Sequence, residues 1–79
     1  YIHVAGHYVE ADGLLIDTHG ADVIDPVWVL LAETYARIGG EVPTCLERDF
    51  NFGHFSGLTA EVGRIAELQA AARRERRVA

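Results

Sequence analysis

Four side chains able to ligate a transition metal stand at His3, Asp17, His19 and Glu47. Asp17-Thr18-His19 puts a carboxylate and an imidazole two residues apart. In an extended segment both point to one face, roughly 6–7 Å apart at the backbone, and converge on one cation. Imidazole with carboxylate suits iron, zinc or manganese. The plainer readings are that Asp17 caps a turn with His19 merely exposed, that His3 is a satisfied strand histidine, and that Glu47 pairs with Arg48 or another arginine. His7 follows His3 by four residues, roughly 13 Å further along a straight strand. Only a turn at Gly6 brings it near, which makes His7 a substrate-side candidate for catalysis and not a ligand. Asp49 and Asn51 are weaker candidates of the same kind as Glu47. His54 reads as a loop histidine, and Cys45 as a small hydrophobe packed in a strand. No nucleophile elbow, P-loop, dinucleotide fingerprint or paired Cys-x-x-Cys occurs in the chain.

The elements that must position these side chains are legible in order. Tyr1–Val4 reads as the end of a strand, with room to turn at Ala5-Gly6; residues 7–13 are polar and loop-like, and Leu14-Leu15-Ile16 is a brief extended run. Asp25-Pro26 predicts a helix start, Asp as N-cap and Pro at the first helical position. Val27, Leu30, Leu31, Thr34 and Ile38 recur at helical spacing as one buried stripe, with Trp28 and Tyr35 as packing residues, and Gly39-Gly40 is a natural stop. Pro43-Thr44-Cys45-Leu46 is a short buried strand ending on Glu47. After an aromatic, glycine-containing loop from Phe50 to Gly57, a second helix runs from about Leu58 to about Arg76, with Leu58, Val62, Ile65, Leu68 and Ala72 apolar at helical intervals.

Alternating strands and helices imply an α/β fold with parallel pairing. In (β/α)8 barrels the functional residues lie at the C-terminal ends of strands and in the loops that follow. His3, Asp17, His19 and Glu47 all fall on that rim. Two β/α units leave unpaired strand edges, so the chain is expected to be a piece of a larger parallel barrel or sheet, poorly soluble or molten when isolated.

Composition agrees with a metal-assisted enzyme more readily than with a nucleic-acid binder. The net charge is −5, and residues 1–49 hold nine acids against Arg37 and Arg48; a nucleic-acid surface needs a basic face. The run Arg73, Arg74, Arg76, Arg77 falls at a predicted helix end, where positive charge complements the helix dipole. With 79 residues and a lone Cys45, no internal disulfide supports the core, and a reducing, cytoplasmic setting is expected. No apolar stretch approaches the roughly 20 residues of a membrane span, and no signal-peptide pattern is present. The chain holds no methionine and opens inside an apolar, β-branched run, which also reads as a fragment.

His3-Val-Ala-Gly-His7, Asp17-Thr-His19, Asp25-Pro-Val-Trp28 and Pro43-Thr-Cys-Leu-Glu47-Arg-Asp49, in that order, resemble a bacterial family once catalogued as a domain of unknown function. Its present name is the multinuclear non-heme iron-dependent oxidative enzymes, which include the oxidase of methanobactin biosynthesis. The resemblance runs from residue 1 to about residue 70 and corresponds to roughly the last quarter of the family domain. It implies the last two β/α units of a xylose-isomerase-like (β/α)8 TIM barrel. It further implies a cluster of two or three irons in the full-length protein, a ribosomally made precursor peptide whose cysteines are oxidatively modified, and often a separate peptide-delivering partner protein. Matched position by position, His3 is the family's histidine on the penultimate strand, Asp17 and His19 its Asp-x-His pair, and Glu47 the carboxylate on the last strand; His7 matches a recurring histidine. The remaining ligands come from earlier strands that this chain lacks, so the fragment alone is expected to be inactive. The competing readings are a divalent-metal sugar isomerase or phosphodiesterase on the same barrel, and a small non-catalytic α/β binding module.

Overall fold

The computed structural model describes residues 1–40 and 42–78, with side chains described through residue 75. Strand β1 (Ile2–Ala5) leads into a short antiparallel pair, β2 (Tyr8–Val9) and β3 (Leu15–Ile16); helix α1 (Asp25–Ile38), strand β4 (Thr44–Glu47) and helix α2 (Phe55–Val78) follow. β1 and β4 pair in parallel, Ile2 opposite Thr44, His3 opposite Cys45, Val4 opposite Leu46 and Ala5 opposite Glu47. The parallel β–α–β unit matches the sequence expectation. The hairpin of β2 and β3 does not: Tyr8 pairs with Ile16 and Val9 with Leu15 across the stretch read as loop. Two-residue strands are too short to show an alternation. Gly13, at φ 90°, makes the turn that a side chain would oppose.

Alternation along β1 and β4 splits their residues between two faces. Ile2, Val4 and Leu46 belong to the core with Trp28, Leu31, Tyr35, Ile65 and Ala72. Thr44 joins that side through a hydrogen bond with the Tyr35 hydroxyl. His3, Ala5, Cys45 and Glu47 therefore share the opposite face, which no helix covers among the described residues. Cys45 is accordingly exposed and not packed, because its parity sets it beside His3 and Glu47.

Both helices bury a narrower stripe than expected. On α1 the buried residues are Trp28, Leu31 and Tyr35, while Leu30 and Ile38 are exposed. The strands and α2 pack where the two large rings lie, leaving the flank of Leu30 and Ile38 uncovered. On α2, Ile65 and Ala72 are buried, but Val62 is exposed. The N-cap of α1 is Ile24 and carries no side-chain cap; Asp25 is one residue inside, where its carboxylate meets Arg64 at 3.4 Å. Gly39 closes α1 at φ 83°, and Gly40 N–H donates to the Tyr35 carbonyl at 2.9 Å, the left-handed stop expected there. Helix α2 begins at Phe55, three residues before the expected Leu58. Arg73 and Arg74 are exposed on α2; the side chains of Arg76 and Arg77 lie outside the described residues. No described helix is long and apolar enough to cross a membrane.

Candidate metal centre

The site forms where the ends of β1 and β4 meet the loop from β3 to α1. Gly6 makes this approach possible: a Cβ there would stand 2.0 Å from the Ala21 carbonyl oxygen, so the chain after β1 and the 20–22 backbone touch directly. Gly20 is also close-packed, with the Phe50 ring 2.5 Å from a hypothetical Cβ. Between these contacts His19 adopts φ 54°, a left-handed conformation rare for non-glycine residues though enriched for histidine. Asp17-Thr18-His19 is thus a turn, with Thr18 N–H donating to the Ile16 carbonyl at 2.9 Å, and not the extended segment expected. The two side chains converge all the same, by curvature instead of alternation.

Glu47 is the hub. Its Oε1 accepts from His3 Nδ1 at 2.9 Å, and its Oε2 accepts from His19 Nδ1. His19 Nε2 faces Asp17 Oδ1 at 2.7 Å, and His19 Nδ1 lies 3.5 Å from Asp49 Oδ2. The structure therefore brings His3, Asp17, His19 and Glu47 into one connected cluster and adds Asp49, which the sequence marked as a weaker candidate. His19, Glu47 and Asp49 can offer ligand atoms that all lie within 4.8 Å of one another. His7 stands beyond Gly6, half-buried, and makes no hydrogen bond or ion pair among the described residues. Arg48, the expected alternative partner of Glu47, points elsewhere and meets Asp22 and Glu61. Asn51 is a loop fastener, its amide donating to the Gly20 carbonyl at 3.1 Å.

The electrostatics follow from these contacts. The hydrogen bond to Glu47 pushes His19 above its usual 6.5; desolvation opposes the shift, and the Asp17, Glu47 and Asp49 charges add to it. The same hydrogen bond holds Glu47 below its usual 4.5. Carboxylate oxygens stand at both ring nitrogens of His19, an arrangement that favours the protonated ring. The donor set fits a metal: imidazole nitrogen with several carboxylate oxygens suits iron, zinc or manganese. Missing from the sequence reading were Arg48 and Glu61. One available signal was that Arg48 is one of two cations among nine acids in residues 1–49.

A cluster of this composition on the strand-end rim of a parallel α/β unit is the kind of site that metal-dependent enzymes carry. The profile of a family described as RiPP precursor modification enzyme MbnB/TglH/ChrH matches residues 1–70, and the chain belongs to that family. A UPF0276 protein of Shewanella amazonensis is 57% identical over 77 residues, covering 98% of this chain and 27% of the relative. One of Neisseria meningitidis serogroup B is 57% identical over 75 residues, 95% of this chain and 27% of the relative. A third, from Pseudomonas aeruginosa, is 59% identical over 69 residues, 87% of this chain and 24% of the relative. The chain spans about a quarter of the length of these relatives. No solved structure matches it.

Proposed function

We propose that the chain is the C-terminal part of an iron-dependent oxidative enzyme that modifies cysteine residues of a ribosomally made precursor peptide. His3, Asp17, His19 and Glu47 are its contribution to the metal ligands. The observation that carries this reading is the Glu47 carboxylate spanning two imidazoles, one oxygen to each. A carboxylate so placed suits a centre of more than one ion, two or three in the full-length protein. Peptide as substrate is supported by the family description, and a separate partner protein delivering that peptide belongs to the same reading. A (β/α)8 barrel is supported by the division of the strands: helices on one face, His3, Cys45 and Glu47 on the other, with the ligands at strand ends and in the loops after them.

Bound iron would supply oxygen activation and take electrons from the cysteine sulfur. The residues of this chain hold the geometry. Glu47 fixes the separation of the His3 and His19 rings, and Asp17 orients His19 through Nε2, as carboxylate partners of ligating histidines do. His7 remains the substrate-side candidate. The test is the full-length parent purified without oxygen, its metal measured by elemental analysis beside the double variant Asp17→Ala, His19→Ala. More than one equivalent of iron, falling clearly in the variant, is expected. No metal, or iron unchanged in the variant, refutes the ligand assignment.

A further inference from the structure

The two loops that carry the candidate ligands are fastened by a group the functional reading does not use. Arg48 follows Glu47, and its side chain is only 8% exposed. Its guanidinium meets Asp22 Oδ1 at 2.7 Å, Glu61 Oε1 at 3.1 Å and the Asn51 carbonyl at 2.9 Å. Glu61, 12% exposed, uses its other oxygen to accept Val23 N–H at 2.7 Å. One cation thus joins three segments: the loop just beyond His19, the loop just beyond Asp49, and α2. The same loops are laced directly, Asp49 N–H donating to the His19 carbonyl at 2.7 Å and the Asn51 amide to the Gly20 carbonyl. His19 and Asn51, at φ 54° and 55°, hold left-handed conformations that persist only where the surroundings impose them.

We propose that Arg48, anchored by Glu61, is the positioning residue of the metal centre: it locks the 19–23 and 47–51 backbones together so that His19, Glu47 and Asp49 keep their donor atoms within one cation's reach. This inference rests on the metal reading above. A lysine cannot substitute fully, because its single ammonium lacks the planar fork that serves several acceptors in fixed directions.

The experiment compares the full-length parent with Arg48→Met, Arg48→Lys and, as a control, Leu31→Ala in the helix–sheet core. Two readouts are taken well below each variant's unfolding temperature: anaerobic iron titration, and amide hydrogen exchange of residues 19–23 and 48–51. Arg48→Met is expected to weaken iron binding on the order of 10–100-fold, the usual effect of removing support behind a ligand, and to speed exchange in both loops. Arg48→Lys falls between it and the wild type. Leu31→Ala lowers the unfolding temperature but leaves both readouts near wild type. Should Arg48→Met not fold, Glu61→Gln is expected to shift both readouts in the same direction by less. Wild-type iron affinity and loop exchange in the folded Arg48 variants overturns the proposal, as does an equal loss in Leu31→Ala. A wild-type protein without metal refutes the metal reading instead, and loop exchange alone then decides whether Arg48 holds the loops.

Discussion

Metal uptake at this site should expel a proton from His19. Nδ1 donates to Glu47, and Nε2 lies 2.7 Å from Asp17 Oδ1. The Glu47 hydrogen bond raises the imidazole above 6.5, so the protonated ring persists to higher pH than in a free histidine. A metal needs the lone pair that this proton occupies, so binding and deprotonation are coupled. Glu47, held below its usual value, is already ionised across that range and releases nothing. Below the raised pKa, one proton displaced per ion makes the apparent Kd fall about tenfold per pH unit, or about 1.4 kcal/mol, and above it this dependence vanishes. Affinity therefore rises with pH through a break that lies above 6.5. The assay is isothermal titration calorimetry of the metal-free full-length protein with ferrous iron under nitrogen, in pairs of buffers that differ in ionisation enthalpy. The quantity read is the proton release of wild type minus that of His19→Asn, expected to approach about one below the break and to vanish well above it. Asp17→Asn removes one of the raising charges and moves the break downward. Equal proton release from wild type and His19→Asn on the acid side would refute the coupling.

Three further outcomes follow from the contacts. Gly6→Ala drives a methyl into the Ala21 and Asp22 carbonyls, backbone atoms with nowhere to go, and should cost at least about 1–3 kcal/mol in urea denaturation. The nearest atoms a Gly20→Ala methyl meets belong to the Phe50 ring, which is 47% exposed and can swing aside, so it should cost less, and Phe50→Ala should relieve it. Tyr35→Phe removes a fully buried hydroxyl from Thr44, which keeps its bond to the Val42 carbonyl, so a loss of about 0.5–1.5 kcal/mol is expected from thermal unfolding. The metal-free protein should be most stable between two limits. The His19 contribution is present below 6.5 and lost as pH rises through its raised pKa; the Glu47 contribution is present above 4.5 and lost as pH falls through its lowered one. Glu47→Gln should flatten both edges of the plot of unfolding temperature against pH.

Period and punctuation made the β–α–β order readable, because Asp25-Pro26 and Gly39-Gly40 bracket one helix and the four candidate ligands fall at strand ends and in one loop. Parity was the finer information in the strands, and a four-residue strand carries it weakly: Cys45 looks like a core residue until pairing with His3 fixes its face. On α1, Leu31, Trp28 and Tyr35 pack as expected, and Leu30 and Ile38 depart from the expected stripe for a related reason. Helical spacing allows several neighbouring stripes, and only the position of the strands and α2 selects the one through Trp28 and Tyr35. The convergence of Asp17 with His19 was anticipated by residue type and reached by different geometry, since a left-handed His19 depends on Gly6, Gly20 and distant backbone. Arg48 was hidden because its partners, Asp22 and Glu61, lie 26 and 13 residues away. Such separations leave no local pattern.

The contacts that assemble the cluster also define what a metal would have to displace. Three carboxylates, Asp17, Glu47 and Asp49, gather around His19, and a proton on its ring would offset their mutual repulsion. Where His19 is protonated, its ring attracts Asp17 and Glu47 and competes with a metal ion for the same nitrogen. The cluster is also one-sided. His3 and Asp17 remain largely open to water, and the strand face that bears His3, Cys45 and Glu47 has no covering element among the described residues. Exposed ligands hold a cation weakly, because hydration offsets much of their charge. In our reading the parent chain covers that face with its other strands and adds their ligands. The same covering that would complete the coordination would also dry the site, strengthening each contact Glu47 makes.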